Sequence, residues 1–135
     1  GVQTCALPIC SIMGVTRADI RPLAYAVDIA AELMFVHKIS MDDLFVTDHI
    51  YPDVAKRLRQ TLGTSTSSKA VSRRIERLAN RCWENLVSKG VVEQYIGIPL
   101  HDIDAPRDII FYLAFYVYLD TPFYIAMKQY PSLLF

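Results

Sequence analysis

The chain has 135 residues, 53% of them hydrophobic, and its 14 basic and 14 acidic side chains cancel to a formal net charge of zero. That length is one ordinary domain with enough apolar content for a real core. Its most apolar run, Ile109 to Leu119, is bracketed by Asp108 and Asp120 and is about half the ~20 residues a membrane span needs, so no membrane partner is expected.

Gly1 to Ile9 spell one reading frame of a common library adapter and are expected to lie outside the fold. Residues 10–135 then form a single helical domain. Met13 is either the native start or the remnant of a chain that began further upstream. Setting Cys5 aside leaves Cys10 and Cys82, far apart. They form neither a disulfide framework nor a zinc spacing, as expected in a reducing cytoplasm.

Thr16 and Asp19 have capping-box spacing, and Pro22 suits a first helical turn. Leu23, Val27, Ala30, Ala31, Met34 and Phe35 then recur at helical spacing and predict a helix from about Ile20 to Val36. Ser40 and Asp43 have the same capping-box spacing and predict a short helix from Met41 to about Thr47. Tyr51-Pro52-Asp53 opens a third helix, with Val54, Ala55, Leu58 and Leu62 as its apolar stripe and Gly63 as its stop. Polar residues 63–68 form a loop ending in serines suited to N-capping, and the next helix runs to Lys89 before Gly90. Val91 to Ile98 fits either a short helix or an extended piece. Asp104-Ala105-Pro106 starts a helix ending near Leu119, and Thr121-Pro122 starts a last one ending before Pro131. Nothing reads as a sheet. The expected fold is all-α, a compact bundle of about six helices containing a helix-turn-helix.

Charge is unevenly spread. Lys56, Arg57, Arg59, Lys69, Arg73, Arg74, Arg77 and Arg81 fall in one block whose only acid is Glu76. A neutral chain with such a block is electrostatically polarised, and its basic side suits a polyanion. On a helical wheel starting at Val71, with about 100° per residue, Ile75, Leu78, Cys82 and Leu86 lie within roughly 60°. Lys69, Arg73, Glu76, Arg77 and Asn80 lie opposite, and Arg74 and Arg81 flank the apolar stripe. Arginine donates bidentately to guanine edges and asparagine pairs with adenine. The layout therefore predicts a helix that reads double-stranded DNA through Lys69, Arg73, Glu76, Arg77 and Asn80. Lys56, Arg57, Arg59, Ser68, Arg74 and Arg81 are expected at phosphates.

Tyr51-Pro52-Asp53-Val54-Ala55-Lys56, Val71-x-Arg73-x-Ile75, Trp83 and Ser88-x-Gly90, in that order, resemble the C-terminal effector domain of the sporulation initiation factor family. These are the master response regulators of endospore formation in Gram-positive spore formers. Gly14-Val15 fits that domain's opening and Pro106 with Phe111 its end, so the resemblance spans roughly residues 14 to 120. It implies a bundle of about six helices that binds DNA as a homodimer on tandem boxes and regulates transcription, close to the nucleoid, behind an N-terminal receiver domain. It places Arg73 at a base-reading arginine and Ser72, Glu76 and Arg77 at other base-contact positions. Ser72, Glu76 and Arg77 depart from the family's usual Glu, Arg and His, which implies a different recognised sequence. The loop over 60–67 is several residues longer than the family's turn.

His37, His49 and His101 are dispersed, with no second ligand at metal spacing. No nucleophile constellation or glycine-rich phosphate loop is visible, so neither an enzyme nor a cofactor is expected. Cys82 reads as a buried thiol and Trp83 as a packing anchor. The crowded aromatics of the last stretch predict a partner surface at Phe111, Phe115, Tyr118, Phe123 and Tyr124. They also supply the alternative reading, a helical interaction module that dimerises or docks through its C-terminus.

Overall fold

The computed structural model describes residues 9, 11–14, 19–63 and 66–133. Six α-helices are numbered here: α1 (Arg21–Ala31), α2 (Tyr51–Leu62), α3 (Ser68–Ser88), α4 (Val92–Ile96), α5 (Asp108–Leu119) and α6 (Phe123–Gln129). Shorter turns join them, and no strand occurs among the described residues. The all-α bundle is as expected.

α5 is the central helix. Its sequence is apolar on every side, and such a helix must be covered on every side. Seven consecutive residues, Ile109 to Phe115, are buried. α1 packs along it more extensively than any other pair of helices touches, and α3, α4 and α6 close the remaining sides. Asp120, in the left-handed region at φ 52°, stops the helix, and the Thr121 hydroxyl donates to the Leu119 carbonyl at 3.0 Å.

Local sequence accounts for most helix ends. Pro22 and Pro52 occupy first turns, where a missing N–H is harmless. Gly63 ends α2 at φ 70°, and its N–H donates to the Arg59 carbonyl at 2.9 Å. The Ser67 hydroxyl accepts from the Ala70 N–H at 3.1 Å and caps α3. The ambiguous Val91–Ile98 segment forms the short α4, which ends at Gly97, φ 106°. A Cβ there would stand 3.3 Å from atoms of Pro122, Tyr124 and Ile125. The close approach of α4 to the start of α6 therefore needs glycine.

Four boundaries differ from expectation, the simplest being that α5 begins at Asp108 and not in Asp104-Ala105-Pro106. The first helix stays α-helical only to Ala31 and continues as a π-helical turn over Glu32–Val36, so Val36 is reached with a wider winding. The second expected helix is divided. Met41–Asp43 form a single 3-10 turn, with the Ser40 hydroxyl donating to Asp43 at 3.1 Å instead of capping a backbone N–H. Val46–Ile50 form a π-helical turn leading into α2, and the Phe45 N–H donates to His49 Nδ1 at 2.9 Å. Finally, Ile9, expected outside the fold, is fully buried with Ile12 and Met13. Near it, the Asn85 amide of α3 donates to the Met13 carbonyl at 3.0 Å. The Lys89 ammonium donates to the Ser11 carbonyl at 3.3 Å. Thr16, Val15, Cys5 and Cys10, and the Leu62 side chain, lie outside the described residues.

The expected aromatic partner surface requires correction. Phe115 is 0% exposed, and Phe111 and Phe123 are buried. The Phe115 ring stands edge-on to Phe35 at 5.3 Å and to Phe123 at 4.9 Å. Tyr124 is half-buried beside Tyr112, their hydroxyls 3.4 Å apart. Only Tyr118 is exposed, and it stacks on Phe35 at 4.6 Å. The physical reason is that α1 and α6 cover α5 within the chain itself, a use of the aromatics that composition alone does not reveal.

Candidate nucleic-acid interface

α3 is the longest helix, 21 residues, or about 30 Å at 1.5 Å per residue. It is fixed by a stripe of Val71, Ile75, Leu78, Ala79, Cys82, Trp83 and Leu86, all buried. At about 1.5–3 kcal/mol for each large apolar side chain removed from water, this stripe holds the helix rigidly on the bundle. Burial pushes the Cys82 thiol up to about 12, so it stays protonated and unreactive.

The opposite face carries the expected readers. Lys69, Arg73, Glu76, Arg77 and Asn80 are all exposed. Ser72 is half-buried, and its hydroxyl proton is already donated to the Lys69 carbonyl at 3.1 Å, which leaves it only as an acceptor. Ser68 is half-buried at the first turn. Arg74 and Arg81 are exposed along one edge of α3, as the wheel placed them.

α2 packs on α3 across the short 63–67 connection and presents Lys56 and Arg59 to solvent. Arg57 does not join them. Its guanidinium meets Asp28 at 3.0 Å and Glu32 at 3.6 Å, so two carboxylates one turn apart on the first helix already neutralise it. A phosphate-gripping role for Arg57 is replaced by a helix-to-helix tie. Sequence spacing shows which face of α2 is polar but not that α1 brings acids to one side of it.

Two features were not anticipated. Asp19, just before α1, is gripped by its neighbour Arg21, with contacts of 2.9 and 2.8 Å and a 3.0 Å bond from the Arg21 backbone N–H. This pairing holds the Asp19 carboxyl below the usual carboxylate range, and the Arg74 charge acts in the same direction. The start of α1 and the middle of α3 also enclose a cleft of about 390 Å³ lined by Asp19, Pro22, Arg74, Arg77, Leu78 and Arg81. The 74/77/81 spacing was legible in sequence; the approach of α1 was not.

Tyr51 is buried at the start of α2, and burial raises its pKa, with the Glu76 charge adding and Arg107 opposing. Glu76 and Arg107 therefore lie within electrostatic reach of the junction between α2 and α3. No single helix among the described residues is long and apolar enough to cross a membrane. No family model, curated protein or solved structure matches this chain.

Proposed function

We propose that the chain is a sequence-specific DNA-binding transcription regulator that inserts α3 into the major groove of double-stranded DNA. The observation that carries this reading is the two-sidedness of α3: one side buried along the helix, the other exposed with Lys69, Arg73, Arg77 and Asn80. In this arrangement Arg73 and Arg77 donate to guanine edges, Asn80 pairs with adenine, and Glu76 accepts from cytosine. Lys69 serves the first turn, and Ser72 contributes an acceptor. Ser68, Arg74, Arg81, Lys56 and Arg59 hold phosphates on either side and set the register.

Two consecutive helices, α2 and α3, packed on each other are the order of a helix-turn-helix, whose first helix crosses the backbone while the second reads bases. The resemblance to sporulation effector domains adds the expectation of a homodimer on tandem sites, a bacterial cytoplasmic setting and an upstream receiver domain. The test is selection from a randomised duplex library followed by fluorescence anisotropy across a salt series. A recovered motif, lost on combined Arg73→Ala and Arg77→Ala, is the expected result. Equal binding of all duplexes, or no binding at 50 mM salt, overturns the reading. Self-association without any DNA-dependent shift would instead favour the interaction module.

A further inference from the structure

The two flanks of α3 are unequally charged. With Val71 as zero and about 100° per residue, Arg74 lies near 300°, whereas the other flank carries Ser72 near 100° and Glu76 near 140°. Lys69, near 160°, belongs to the reading face two turns before Glu76. The Glu76 flank is the side on which α2 begins. Burial raises the pKa of Tyr51, the first residue of α2, Glu76 adds to the rise and Arg107 opposes it. Arg107, at the start of α5, thus shares a corner with Glu76. It is exposed and forms no ion pair among the described residues. The acids beside it in sequence act elsewhere. Burial raises the Tyr112 pKa, the Tyr124 hydroxyl adds, and Asp108 and Asp104 add further. Tyr112 lies against Phe123 of α6 at 4.9 Å. Asp108 also accepts from the Ala105 N–H at 3.2 Å. Charge at the start of α5 is therefore divided, with Arg107 on the α2–α3 side and Asp104 and Asp108 on the α6 side.

We infer that Arg107 is a further DNA contact, gripping a phosphate of the strand opposite to the one held by Arg74. The inference rests on the proposed DNA reading and extends its surface beyond α2 and α3. A helix about 10–12 Å across fills a major groove about 12 Å wide, so its two flanks meet the two backbones. Arg74 serves one of them. The other meets Glu76, and the first turn of α2 adds a second acid there, the exposed Asp53. Both repel phosphate, and Lys56 and Arg59 stand further along α2. An Arg107 guanidinium at that corner offsets the Glu76 charge. Its planar fork also takes phosphate oxygens bidentately. Such a contact carries no sequence information, so it strengthens every duplex alike.

The experiment is fluorescence anisotropy of the full chain on duplex DNA across a salt series, with phosphate-ethylation interference on each strand. Arg107→Gln is expected to weaken preferred and non-preferred duplexes alike, severalfold at low salt. It should also reduce the slope of log affinity against log salt by about 1. Arg107→Lys keeps the charge and should recover most of both. Lys128→Gln removes a cation exposed on α6 and should change neither. Thermal melts of the three variants should match the parent. Ethylation should interfere on both strands in the parent chain. Arg107→Gln should lose that interference at a phosphate of one strand, and Arg74→Gln at a phosphate of the other. An unchanged slope in Arg107→Gln, no recovery in Arg107→Lys, or loss on the same strand in both variants overturns the inference. A parent chain that still selects its duplex then leaves groove reading standing. Equal binding of every duplex, with the Arg107 slope change intact, sinks base reading and keeps the phosphate contact. No duplex binding by the parent overturns both.

Discussion

Arg73 and Arg74 are adjacent on α3 yet take different tasks in the proposed DNA complex, because one residue is a turn of about 100° on a helix. Both are exposed, but only Arg74 also lines the cleft beside α1. Arg73→Ala is expected to cost about 1–3 kcal/mol on the preferred duplex and to relax selection at one base. Arg74→Ala should weaken every duplex alike and flatten the plot of log affinity against log salt by about 1. Anisotropy titrations on matched and mismatched duplexes check both, and identical behaviour of the two variants would contradict the division. Cys82 gives a pH prediction. Its folded-state pKa, about 12, lies above the ordinary thiol value of 9.0, so the fold favours the protonated form. This contribution is complete below about pH 9 and is lost as pH rises toward 12. Burial also raises the Tyr51 and Tyr112 pKa values, so they act in the same direction. Urea midpoints should fall over that alkaline interval, less steeply in Cys82→Ala than in the parent chain. Parallel slopes would show that the thiol does not contribute.

At the scale of helices, α2 divides its cations by partner. Arg57 is tied to Asp28 and Glu32, whereas Lys56 and Arg59 face solvent. Arg57→Gln should therefore lower stability by up to about 1 kcal/mol, as expected for a partly exposed pair, and leave the salt slope of DNA binding unchanged. Arg59→Gln should spare stability and reduce that slope by about 1. Thermal melts and salt-dependent anisotropy on the two variants distinguish the roles, and a reversed pattern would return Arg57 to the phosphate set. The helix wheel of α3 was fully legible because period and burial coincide over 21 residues. The short elements were less so. Ser40 and Asp43 have capping-box spacing, but the Ser40 hydroxyl bonds the Asp43 carboxylate directly, and the helix stops after one turn. Capping spacing proposes a start; only continued apolar support extends it.

For the molecule as a whole, the aromatic C-terminal stretch changes meaning once its neighbours are known. Phe115 is enclosed by Phe35 and Phe123, while Tyr118 rests on Phe35 with 53% of its surface exposed. Phe115→Ala should cost about 3–5 kcal/mol. Tyr118→Ala should cost about 0.5–1.5 kcal/mol, the worth of a ring pair. Chemical denaturation measures both, and a near-zero cost for Phe115→Ala would return the aromatics to the surface. The neutral net charge likewise conceals a polarised body. The basic face of α2 and α3 is balanced by acids elsewhere, including Asp28 and Glu32 against Arg57.

Sequence by itself determined the all-helical class, the long amphipathic α3 with its buried and exposed faces, the serine cap before it and the glycine stop after α2. These follow from local periodicity and backbone preference, which act within a few residues. Only the tertiary structure decided that α5 is the hub, that Phe111, Phe115 and Phe123 are interior, and that Ile9 reaches the core. It likewise decided that Arg57 is spent on α1 and that Arg74, Arg77 and Arg81 share a cleft with Asp19 and Pro22. Each of those outcomes depends on which helix lies against which, and contacts between residues far apart in the chain leave no periodic trace in either partner.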